Sequence, residues 1–114
     1  MLKKLCLIFS LYFIASSTYA YENISSRKIV DIGCHADIGI CYVQVDGPAF
    51  GSTLNCSSPA SSTNQFRFDN ADSVNGKRAF AALYAAFLTK KEIDVYLSGC
   101  TSQGAPQLGY YHIH

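Results

Sequence analysis

Excess positive charge is missing from this sequence, and so are most of the motifs that announce chemistry. Nine Lys and Arg stand against eight Asp and Glu. Removing Lys3 and Lys4 with the first 20 residues leaves seven against eight, a net charge of −1. Nothing here draws in polyanions over a distance, which argues against nucleic acid and acidic membrane surfaces as partners. There is no CxxC pair, no P-loop, no Gly-rich dinucleotide fingerprint and no serine in a nucleophile-elbow pattern. Asp31, Asp37, Asp46, Asp69, Asp72, Glu92 and Asp94 are scattered, so spacing forces no two carboxylates together. Internal repeats and linkers are absent too. The expectation is a single-domain protein that is not an enzyme and carries no cofactor.

What is present begins with MLKKLCLIFSLYFIASSTYA. Two lysines, an apolar run from Leu5 to Ala15 and the small residues Thr18 and Ala20 make a secretory signal peptide over residues 1–20. The run is too short for a bilayer, which needs roughly 20 apolar residues. Cys6 precedes the apolar run and leaves with it. The mature chain is then residues 21–114, secreted or periplasmic, with no membrane insertion.

A domain of this size buries too little surface to be secure by burial alone. Its four remaining cysteines, Cys34, Cys41, Cys56 and Cys100, answer that need as two disulfides in an oxidising compartment. Oxidised, they leave no thiol nucleophile. Four cysteines allow three connectivities. Cys34 with Cys41 across a short hairpin, and Cys56 with Cys100, is the preferred one, and the others stay open.

Five strands and one helix follow from the pattern. Tyr21 to Ser26 is polar and is expected to be loose. Residues 27–34 (RKIVDIGC) and 40–46 (ICYVQVD) are β-branched, and the second alternates, with Cys41, Val43 and Val45 inward. Residues 35–39 form the hairpin between them. A long Ser-, Asn- and Gly-rich loop, pinned by Cys56, leads to a short strand over 65–69 with Phe66 and Phe68 inward. Phe80, Leu83, Tyr84, Phe87 and Leu88 then recur at helical spacing among alanines. Between Ala79 and Leu88 there is no charge at all, so this helix is expected to be surrounded by protein on most sides. An amphipathic membrane anchor would need a cationic face. Ile93, Val95 and Leu97 face inward on a fourth strand, and 107–114 (QLGYYHIH) make a fifth.

The order β-β-β-α-β-β marks an all-β chain with one helix, expected to form a disulfide-stapled, five-stranded Greek-key barrel of the OB-fold type. An open α+β sandwich is the alternative. In the barrel, the exits of strands two and four lie at one end, where Cys56 and Cys100 can meet. Tyr42, Tyr96, Tyr110 and His112 fall on the outward phase of their strands. Exposed rings with polar tips suit sugars and protein interfaces. His112 and His114, at i and i+2, share a face. They are read as a polar outer surface, since a metal centre needs a third ligand, from Glu92 or Asp94.

Ser26 ahead of RKIV, Cys41, Cys56 and the passage FAALYAAFLTKKEIDVY together resemble the small OB-fold B subunits of secreted bacterial toxins, of the subtilase cytotoxin kind. The resemblance implies a ring pentamer that binds glycans on host cells beside an enzymatic A subunit. It makes Ser26 a sugar-binding donor, with Tyr96 near the sugar. Arg27 stands where that family has Gly, and Tyr96-Leu97 where it has Tyr-Tyr. Its cysteine pattern implies Cys41 pairing with Cys56. The expected function is therefore glycan or host-surface recognition, with Ser26, Tyr42, Tyr96 and Tyr110 as ligand-binding residues. A stand-alone, disulfide-stabilised envelope protein with a structural or protein-binding role is the alternative.

Overall fold

The computed structural model describes residues 20–57 and 63–114. The signal peptide expected over residues 1–20, with Cys6, lies outside them apart from Ala20. The elements are β1 (Tyr21–His35), β2 (Ile40–Val45), β3 (Gln65–Phe68), α1 (Val74–Thr89), β4 (Glu92–Cys100) and β5 (Pro106–Ile113). A one-turn 3-10 helix spans Ser52–Leu54. The described residues are mostly β, with one α-helix, a five-strand sheet and two disulfides.

Strand pairing runs β1–β2–β3–β5–β4 and returns from β4 to β1. All ladders are antiparallel except β3–β5, a parallel contact at Arg67 and Gln107. The length of β1 closes the circuit. Its first half pairs with β4, from Tyr21 opposite Ser98 to Lys28 opposite Glu92. Its second half pairs with β2, from Ile29 opposite Val45 to His35 opposite Ile40. A register shift between Ile24 and Arg27 interrupts the first half, and there Ser26 takes φ +55°. Such bulges bend a strand and increase its twist.

Tyr21 to Ser26 is thus strand and not loose chain. Ile24 is buried, and Glu22 accepts hydrogen bonds from the Gly51 backbone N–H and from Thr53 Oγ1, the latter at 2.8 Å. The segment is ordered by the β4 backbone, which a polar sequence does not advertise.

Inside the circuit, alternation works as read. Cys41, Val43, Val45, Phe66, Phe68, Ile93, Val95 and Leu97 are all buried. Phe50 and Leu54 from the long connection join them. The helix departs from expectation. Its buried stripe is Gly76, Ala79, Leu83 and Ala86, Phe80 and Phe87 are half-buried, and Tyr84 and Leu88 are exposed. Small residues let the helix backbone come close: a Cβ on Gly76 would overlap the Asn70 carbonyl oxygen. Packing on small residues leaves the larger rings at the margins, so α1 is covered on one side only. Ser73 caps its start, accepting from the Gly76 N–H at 3.0 Å, and Lys90 ends it at φ +55°.

The disulfides are Cys34–Cys41 and Cys56–Cys100. The pairing of Cys41 with Cys56 implied by the toxin resemblance is corrected. Cys34 and Cys41 are directly opposite in the β1–β2 ladder, so Cys41 is already taken. Among the described residues, no helix is long and apolar enough to cross a membrane.

Candidate functional site

The outer face of the wall formed by β1, β4 and β5 gathers most of the residues that carry chemistry. Along β4, Asp94 and Tyr96 share the outward phase, the inward positions being Ile93, Val95 and Leu97. The ladders set their neighbours. Asn23 lies opposite Tyr96 on one side, while Tyr110 lies opposite Tyr96 and His112 opposite Asp94 on the other. The Tyr21 and Tyr96 rings stand 5.2 Å apart at 30°. Tyr96 also lies over Gly109, whose missing side chain leaves the room. Tyr110 is 61% exposed. These are three tyrosines on one surface, each with a polar tip.

Beside them Asp94 acts as a hub. Its Oδ1 accepts a 2.7 Å hydrogen bond from the Ser26 backbone N–H. The same oxygen lies 3.1 Å from His114 Nε2, and Oδ2 lies 3.4 Å from His112 Nδ1. The imidazole rings are stacked, 5.3 Å apart at 18°. His114 is fixed by two backbone bonds with Glu92, at 2.9 and 3.1 Å. The Ser26 bond first, and then the His114 bond, hold the Asp94 carboxyl down to about 2. The left-handed turn at Ser26 is what aims that N–H, and it comes from the bulge in β1.

Of the ligand-binding residues expected from sequence, Ser26, Tyr96 and Tyr110 therefore share one face. Tyr42 does not. It sits on β2 between Gly33 of β1 and Arg67 of β3, its ring lying over Gly33 and 6.4 Å from His35. Of the two carboxylates weighed as a third partner for the histidines, Asp94 reaches them, whereas Glu92 joins His114 through its backbone alone. Tyr21 was not foreseen, because its segment was not read as a strand.

Arg27 donates from Nη1 to the Asp46 and Pro48 carbonyl oxygens, the latter at 3.0 Å, and its guanidinium lies 6.0 Å from the Phe50 ring centroid. It ties β1 to the loop after β2.

No family model matches this chain, and neither does any curated protein or solved structure.

Proposed function

We propose that the mature chain is a secreted or periplasmic, non-enzymatic binding protein of the OB type, recognising carbohydrate on a host or envelope surface. The strand circuit, the parallel β3–β5 contact and the helix between β3 and β4 support the OB-type Greek-key barrel. Two disulfides suit an exported domain of this size.

The observation that carries the carbohydrate reading is the common face of Tyr21, Tyr96 and Tyr110 beside Ser26 and Asp94. Aromatic faces cover the apolar side of a pyranose, and the polar tips with a fixed carboxylate bind its hydroxyls. Catalysis is not part of the proposal, and homo-oligomerisation as a ring is. The test is a glycan array on the oxidised mature protein, with its mass in solution. Retention that is lost in the Tyr96→Ala/Tyr110→Ala double variant supports the reading. A monomer that no glycan retains sinks it.

A second reading, a protein-binding role in the envelope, is favoured by the exposed apolar residues of α1 and β1, including Val30, Tyr84 and Leu88. Capture of a defined envelope protein, abolished by Leu88→Asp and indifferent to the tyrosines, would select it.

A further inference from the structure

The hub on the β4–β5 face has a composition that hydrogen bonding alone does not require. Two imidazoles, from β5 and the residue just after it, converge on one carboxylate of β4. One ligating atom from each of Asp94, His112 and His114 lies within 4.8 Å of the other two. A tetrahedral zinc ion with bonds of about 2.0–2.2 Å holds its donors about 3.3–3.6 Å apart. His112 Nδ1 lies 3.4 Å from Asp94 Oδ2 and His114 Nε2 lies 3.1 Å from Asp94 Oδ1, so each imidazole already meets the carboxylate at close to that spacing, one at each oxygen. Small side-chain rotations suffice to bring the three donors around one ion.

We propose that Asp94, His112 and His114 form a surface site for a divalent transition metal of the zinc class, with the remaining coordination positions open to solvent. Three structural features support it. Asp94 on β4 is paired with His112 on β5, so the ladder sets that spacing, and His114 follows directly after β5. His114 is held at its backbone by the two bonds to Glu92, so its ring does not depend on a fraying strand end. The Ser26 N–H orients the Asp94 carboxylate from outside, the role outer-shell groups play around metals.

Donor chemistry selects the ion. Imidazole nitrogen suits zinc, copper and nickel, whereas calcium and magnesium take oxygen ligands. Side-chain exposures of 56% for His112 and 40% for His114 leave the outer side of the ion accessible. A fourth donor can then come from water or from another molecule. Tyr96 flanks the hub on β4, so a bound ion would lie beside the aromatic surface. The site shares Asp94 with the carbohydrate reading but does not depend on it, and its test uses no sugar.

The experiment is calorimetric titration of zinc chloride into the tag-free, oxidised mature protein. One ion per chain is expected. The His112→Ala/His114→Ala double variant should weaken binding by at least about 100-fold, beyond the ~10–100-fold loss typical of removing outer-shell partners. His35→Ala, which removes the remaining histidine, should leave the affinity unchanged. Calcium should give no binding. NMR on the wild-type chain should show zinc moving the imidazole resonances of His112 and His114 and not those of His35, a readout that needs no variant to fold. The proposal is overturned if the wild-type chain takes up no zinc, if the double variant binds it as tightly, or if His35 is the residue that responds.

Discussion

The inside of the strand circuit and the outer face of its β1–β4–β5 wall meet along β4 but are held by different forces. Inside, Val43, Val45, Phe66, Leu83, Ile93 and Leu97 have essentially no exposure, and what holds them is non-directional burial. Outside, Ser26, Asp94, His112 and His114 meet through hydrogen bonds that need particular atoms at particular places. The inside therefore carries stability through many partly interchangeable contacts. The outside is held by a few contacts that have no substitute. Changes to the two should separate cleanly, large in stability within and small in stability but selective without.

The largest effect is expected at the staple of the interior. Cys56–Cys100 closes a separation of 44 residues and Cys34–Cys41 one of 7. Loop entropy gives about 4 kcal/mol for the first and about 2.5 for the second. Urea unfolding of Cys56→Ala/Cys100→Ala and of Cys34→Ala/Cys41→Ala should return that order. Equal losses would show that the unfolded chain is not behaving as a flexible loop. Next comes the helix, where two leucines sharpen the inside-outside contrast. Leu83 is fully buried, and Leu83→Ala should cost about 3 kcal/mol. Leu88 is 61% exposed, and Leu88→Ala should change stability by less than about 0.5 kcal/mol. Comparable melting shifts would mean that the outer side of α1 is covered in solution, as an oligomer would cover it.

Gly76→Ala should be destabilising by about 1–3 kcal/mol, because the added methyl collides with the Asn70 backbone. This outweighs the roughly 1 kcal/mol that alanine gains over glycine in a helix. Gly99→Ala meets no atom within 4 Å, and its cost of about 1 kcal/mol comes from φ +65° alone. Thermal melts of both separate crowding from backbone strain.

The interior was largely legible in the sequence, since two-residue alternation in ICYVQV, QFRF and IDVYL puts one face in apolar surroundings whatever the neighbours are. The preferred disulfide pairing was legible for a similar reason: a short hairpin puts Cys34 opposite Cys41, and strand exits put Cys56 near Cys100. The helix stripe was not. Periodicity ranks the large residues, but close approach selected Gly76, Ala79 and Ala86, a neighbouring face of the same helix. Outside, the spacing of His112 and His114 was legible, and its partner only as a choice between Glu92 and Asp94. Ser26 and Asp94 are 68 positions apart and meet because β1 bulges where it crosses β4. Pairing of Tyr21 to Ser26 was hidden for the same reason: its partner is backbone, and backbone has no sequence signature.

The smallest effect on stability, and the most selective, belongs to Asp94. Its carboxyl is lowered from 3.8 to about 2 by the Ser26 N–H first and by His114 next. A carboxylate depressed on folding adds stability that is fully present above its unfolded value, near 3.8, and is lost as pH falls through the folded value, near 2. Asp94→Asn keeps an oxygen to accept from Ser26 but has no charge to lose. In metal-free buffer its melting temperature should therefore fall less steeply than the wild type's between pH 4 and 2, and only there. An interior change such as Leu83→Ala should instead lower the whole curve without altering its acid slope. If Asp94→Asn shifts the curve uniformly, the carboxylate is acting as packing. If the slope alone flattens, the outer face is held by charge and hydrogen bonding, distinct in kind from the core beneath it.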